Sequence, residues 1–276
     1  MNPAFRRVRK LSTWRRIAMA TWHAPNDPTC YGTLALDAGP ALAYLERIRT
    51  QTGVKATMTH LVGRAVALAI KDTPDINGRI VGNSLLLRST VDVSYQVALD
   101  DGRELSGAKI DRVDEKDVHE VARELGEKAA RIREKRDPQF QRSKKVLDRM
   151  PQFLLRPTLR LTSYLTNDRG WNLAPLNLPA DPFGSAMVTS VGMFGIDVGF
   201  APIVPLAGTP LIVLVGETQQ RAVVEAGAVV ARPVVQLGVS FDHRFIDGFH
   251  AGRMARVIRA YFAAPDAHEV QRLLAP

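Results

Sequence analysis

The chain has 276 residues, 46% of them hydrophobic and 24% charged, an ordinary globular composition with ample material for a core. Its one cysteine, Cys30, excludes an intrachain disulfide and a Cys-rich zinc site and suits a reducing compartment. Lys and Arg outnumber Asp and Glu 37 to 28, yet the basic clusters at Arg6–Lys10, Arg15-Arg16 and Arg131–Lys145 show no aromatic interleaving, helix-turn-helix or zinc-finger spacing. Nucleic acid is therefore not an expected partner, and solvated helix faces account for most of the charge. The basic N-terminus lacks the apolar core of a secretory signal and no run of about 18 apolar residues occurs, so a soluble, cytoplasmic protein without a transmembrane segment is expected.

After a basic arm (residues 1–13), "TCYGTLALDAG" (Thr29–Gly39) reads as a strand broken by Gly39-Pro40. "PALAYLERIRTQTG" spaces Leu42, Leu45 and Ile48 as a helix does and stops at Gly53. "MTHLVGRAVALAIKDTP" is a second helix, capped by Thr57 or Thr59, and its nearly all-round apolar surface predicts deep burial. Two strands follow, "RIVGNSLLLR" and "VDVSYQVALDDG", with turns at Asn83 and Asp101-Gly102; Glu115–Arg136 is a long charge-laced helix. Residues 144–182, with five prolines and mixed apolar content, read as an insertion with one or two short helices that covers a pocket, contacts a neighbour or lies on a membrane surface. The last third is β-rich: "SAMVTSVGMFG", "TPLIVLVGETQQ" and "ARPVVQLGVSFDH" read as strands, and "DGFHAGRMARVIRAYFA" as a closing helix. This order suits one α/β domain, a two-layer α+β sandwich of a mixed sheet packed by helices, over residues 14–276.

His243 is the leading candidate for chemistry, since it ends an apolar strand and precedes a helix, where an imidazole can face a pocket from a fixed backbone. On spacing alone a turn histidine with Asp247 as helix N-cap is the more economical reading, and Asp242 with Arg244 reads equally as a local ion pair. Thr189-Ser190 offers a hydroxyl for an oxyanion, with Gly192 and Gly195 permitting a tight turn or close backbone approach, although strand-end hydroxyls commonly serve the backbone. His23, His60, His119, His250 and His268 form no ligand spacing, so no metal is expected.

"SFDHRFIDG" nevertheless resembles the D-H-R-x-x-D-G signature of the dihydrolipoamide acyltransferases of 2-oxoacid dehydrogenase complexes, relatives of chloramphenicol acetyltransferase. "VTSVGMFGIDVGFAPIV", "STWRRIAMATW" and "MTHLVGRAVALAIKDTPDIN" resemble three further family stretches, in the family's order. The resemblance implies a chloramphenicol acetyltransferase-like fold assembled as a homotrimer or larger body, with active sites between subunits. It implies His243 as general base, Thr189 as oxyanion donor from the neighbouring subunit, and Asp247 ordering the turn through an arginine such as Arg16. The acyl donor is then coenzyme A as its thioester; no CoA-binding residue is singled out. No lipoyl-domain stretch precedes the matched region, so no covalent lipoyl group is expected on this chain and a lipoyl acceptor would sit on a separate protein; other thiol, hydroxyl or amine acceptors fit equally. The family's G-L-x-x-P stretch is replaced by "GRELSGAKI". Together with residues 144–182 this keeps open a second reading, a non-catalytic oligomeric scaffold.

Overall fold

A computed structural model describes residues 27–81, 84–99, 104–133, 151–169, 171, 181–204 and 207–269. The basic arm, "STWRRIAMATW" with Arg16, and most of the Arg131–Lys145 cluster lie outside them. Strand β1 (Thr29–Asp37) leads into α1 (Gly39–Thr52), which buries Ala41, Tyr44, Leu45 and Ile48 at helical spacing. Gly53 ends α1 at φ 70°, a left-handed turn in which its N–H reaches Arg49 O. Helix α2 (Met58–Asp72) is buried from His60 to Ala67 without a break, as its all-round apolar pattern requires.

"RIVGNSLLLR" is not one strand but a small separate hairpin, β2 (Gly78–Val81) paired with β3 (Ser84–Leu87), leaving Leu85, Leu86 and Leu87 exposed. Strand β4 (Val93–Leu99) pairs antiparallel with β5 (Glu104–Ile110), which the sequence pattern did not reveal as a strand. Helix α3 (Val118–Arg133) follows, then α4 (Gln152–Ser163) within the expected insertion. Strands β6 (Ala186–Ser190), β7 (Leu211–Glu225) and β8 (Ala228–Asp242) complete the main sheet, and α5 (Gly248–Ala263) closes the fold. The order is β1-β8-β7-β6-β4-β5, with β6 parallel to both β4 and β7 and the other pairs antiparallel.

Helices α1, α2, α3 and α5 share one core with a single face of this sheet, including Val93, Tyr95, Val188, Val213, Val215 and Leu237. Tyr95 is fully buried against α2, and a Cβ added at Gly63 would lie 2.0 Å from its hydroxyl oxygen. The opposite face carries Met187 and Ile212 and is crossed by residues 196–204. That close crossing depends on Gly216 and Gly238: a Cβ there would meet Asp197 O at 1.9 Å and Gly199 O at 1.8 Å.

Charge pairs seal the edges of the core. Buried Arg64 donates to Val113 O and approaches Glu269 at 3.6 Å. Burial pushes the Glu269 carboxyl up to about 7, although it accepts from the Tyr261 hydroxyl and the Val118 N–H. At the start of α5, Asp247 accepts from Phe249 N–H and His250 N–H. The His250 ring lies between two carboxylates, Nδ1 at 2.7 Å from Asp247 Oδ1 and Nε2 at 2.9 Å from Asp75 Oδ2. Burial opposes protonation of His250, but hydrogen bonds to Asp75 and then Asp247 outweigh it and raise the pKa. The backbone N–H of His250, first among several donors, holds Asp247 below the usual carboxylate range.

Two outcomes follow. Gly63→Ala should lower the melting temperature, costing about 1–3 kcal/mol by overpacking against Tyr95 despite the better helix propensity of alanine; an unchanged or raised melting temperature would contradict the packing. Because its folded pKa is raised, the His250 contribution is complete below the ordinary value of 6.5 and is lost as pH rises through the folded value. The melting temperatures of wild type and His250→Gln should therefore differ most below pH 6.5 and converge as pH rises through the raised folded value. A pH-independent difference would show that the two carboxylates do not hold an imidazolium.

Candidate functional site

The end of β8 is held in place before any side chain is considered. Asp242 N–H donates to Pro210 O, His243 N–H donates to Pro28 O, and the N–H groups of Phe245 and Ile246 both return to Asp242 O. Ile246, 1% exposed, plugs the turn into the core. Asp242 is buried and its carboxylate accepts from Arg244 N–H, Nε and Nη2, the last at 2.6 Å. The ion pair anticipated from "DHR" therefore forms and clamps the turn on both sides of His243. The His243 ring is exposed in the single chain, 6.5 Å from the Phe241 ring.

Asp247 stands four residues on as the N-cap of α5, with His250 as its partner. This is the helix-capping role open to it on spacing alone; the arginine suggested by the resemblance, Arg16, lies outside the described residues.

Thr189 lies on β6, and strand alternation puts it on the face of Met187, away from the helices, while Ser190 shares the face of Val188. Beyond them the chain turns tightly, with Gly195 at φ 72° and Gly192 so close to β7 that a Cβ would meet Gly216 O at 2.9 Å. Both hydroxyl residues line a cleft of about 810 Å³ together with Lys55, His60, Gln96 and Arg123. His60 Nδ1 accepts from Thr57 N–H at 2.9 Å, and burial lowers the ring to about 4, so it is neutral at physiological pH. Sequence reasoning gave His60 little weight; its signal was a histidine three residues after a capping threonine, the same arrangement as Asp247 and His250.

The structure does not bring His243 and Thr189 together within one chain. Thr189 is in register with Leu214, Leu214 with Gly238, and His243 lies five residues beyond Gly238. With strands about 4.8 Å apart and a rise of about 3.3 Å per residue, the two are on the order of 20 Å apart. His243 is not among the residues lining the cleft beside Thr189. Among the described residues no cluster of His, Cys, Asp and Glu is arranged to hold a metal.

The model of the 2-oxoacid dehydrogenases acyltransferase (catalytic domain) family matches residues 4–141 and 181–269. The succinyltransferase component of the mitochondrial 2-oxoglutarate dehydrogenase complex of Saccharomyces cerevisiae is 26% identical over 222 residues, 80% of this chain and 39% of that protein. The acetyltransferase component of the Zymomonas mobilis pyruvate dehydrogenase complex is 26% identical over 247 residues, 88% of this chain and 46% of that protein. The chain thus spans less than half the length of these relatives. Among solved structures, a dihydrolipoamide acetyltransferase of Azotobacter vinelandii superposes with TM-score 0.65 at 23% identity, covering 88% of this chain and 84% of that one. The roles of a serine, a histidine and an asparagine in the catalytic mechanism of that protein have been investigated. With its signature turn, its sheet order and a family match on both sides of residues 142–180, this chain belongs to the 2-oxoacid dehydrogenases acyltransferase (catalytic domain) family.

Proposed function

We propose that this chain transfers an acyl group from a coenzyme A thioester to a thiol, with dihydrolipoamide on a separate protein as the acceptor, at sites completed between copies of the chain. The observation that carries the reading is the clamped turn at Asp242–Ile246. It fixes His243 at a strand end while the hydroxyl that the chemistry requires, Thr189, stands on the order of 20 Å away in the same chain. A second copy supplies what one chain cannot bring together. The open sheet face favours such association, because Tyr31, Phe194, Ile196 and Phe200 are exposed there or beside it.

His243 takes the proton from the acceptor thiol, so that sulfur attacks the acyl carbonyl carbon as thiolate. Thr189, from the neighbouring copy, donates its hydroxyl hydrogen to the carbonyl oxygen on which negative charge develops. As the bond to the departing sulfur breaks, His243 returns the proton to that sulfur and regains its neutral form. Asp242 and Arg244 hold the turn, and Asp247 fixes the helix start behind it. Lys55 and Arg123 give the cleft beside Thr189 the charge and, at about 810 Å³, the room for part of a phosphorylated thiol. In the Azotobacter vinelandii protein the investigated histidine and asparagine are four residues apart, as are His243 and Asp247. That parallel supports the turn as the chemical centre.

His243→Ala should lower transfer between acyl-CoA and free dihydrolipoamide by about 10²–10⁴-fold with unchanged melting. An unchanged rate in a folded variant would favour an oligomeric scaffold instead. Co-expressing His243→Ala chains with Thr189→Ala chains should restore activity to about one quarter of wild type, because random mixing unites an intact histidine with an intact neighbouring threonine at one site in four. If mixed assemblies form and stay at the level of the separate variants, the two residues do not share a site.

A further inference from the structure

The family match passes over residues 142–180, the stretch that contains α4. The described apolar side chains of this helix are exposed. Phe153, Leu154 and Leu161 fall within an arc of about 100° and are exposed, Phe153 at 77% and Leu161 at 58%. Thr158, Thr162 and Ser163 are partly buried, while Leu159, on the side opposite that arc, is exposed at 42%. Past the helix end, Tyr164 and Trp171 are exposed as well. No other described element except the following turn, Tyr164–Asp168, packs extensively on α4. The same region concentrates positive charge. Residues 131–171 hold eleven Lys and Arg against four Asp and Glu, most of the excess of the whole chain. Arg131, Arg160 and Arg169 are exposed.

We infer that this segment docks the protein on an anionic lipid bilayer surface, with Phe153, Leu154 and Leu161 entering the acyl boundary and the arginines meeting lipid phosphates. Apolar side chains presented outward beside cations, with two aromatic residues at the end, suit the membrane interface, where apolar, aromatic and cationic groups are all satisfied. Pairing of this face with the same face of a second copy would set two strongly basic segments against each other, which costs rather than gains free energy. Because no helix among the described residues is long and apolar enough to cross a membrane, the contact is interfacial.

The test is flotation of the full chain with phosphatidylcholine vesicles containing roughly one-third phosphatidylglycerol, against pure phosphatidylcholine. Binding should occur on the anionic vesicles, fall by about tenfold or more on raising the salt to roughly 0.5 M, and be lost in Phe153→Glu/Leu161→Glu, with oligomeric state unchanged in light scattering. Arg160→Glu/Arg169→Glu should weaken binding by about tenfold and probes the same contact if the apolar pair disturbs folding. Failure to float with anionic vesicles, equal binding to both vesicle types, or full binding by the variants would overturn the inference. If Phe153→Glu/Leu161→Glu instead breaks the assembly apart, the face belongs to contacts between copies.

Discussion

The ladder that joins β6, β7 and β8 governs the rest of the structure. Its hydrogen bonds set Thr189 opposite Leu214 and Leu214 opposite Gly238. A slip of one residue would turn Val213, Val215 and Leu237 out of the core, so the pairing cannot adjust to bring distant residues together. The spacing between Thr189 and His243 is therefore a property of the sheet rather than of side-chain rotamers. Under the proposed mechanism, which needs an imidazole and a hydroxyl at one carbonyl, the two would come from two chains, and assembly would be a condition of catalysis.

The two faces of the sheet divide the work. One is sealed by four helices and a continuous apolar core, which keeps β8 and the turn beyond it rigid. The other is crossed by a flat segment admitted by Gly216 and Gly238 and leaves aromatic and aliphatic side chains uncovered. Rigidity behind His243 and an uncovered apolar surface on the face of Thr189 are what the proposed shared site would require. The side-chain clamp on the turn is local, since Asp242 binds Arg244 two residues on, while the backbone of the turn is tied to Pro28 and Pro210.

Much of the fold was legible in the sequence because its elements carry strong periodicity. Helices α1, α2 and α5 and the cores of β6, β7 and β8 follow from apolar spacing, from the stop at Gly53 and from the helix start at Asp247. The misses have physical reasons. Strand β5, "ELSGAKI", is a polar edge strand with little apolar alternation, and the β2–β3 hairpin hides within one apolar run. The far ends of β7 and β8, through Ala226-Gly227, are a projecting two-stranded ribbon whose exposure left no burial pattern to detect. At the site, His243 and the Thr189-Ser190 pair were singled out by their places at strand ends, with Asp247 as a helix cap, and the motif resemblance gave them their expected roles. His60 and His250 were passed over because a histidine that completes a helix cap looks unremarkable until its partners are seen.

The most direct test of the account is a cryo-electron microscopy structure of the assembled protein with coenzyme A bound. The account predicts the His243 ring of one copy and the Thr189 hydroxyl of its neighbour on opposite sides of the thiol end of the ligand, each within about 6 Å of the sulfur. A coenzyme A thiol bound far from His243, or an assembly in which no neighbouring Thr189 approaches that histidine, would contradict it.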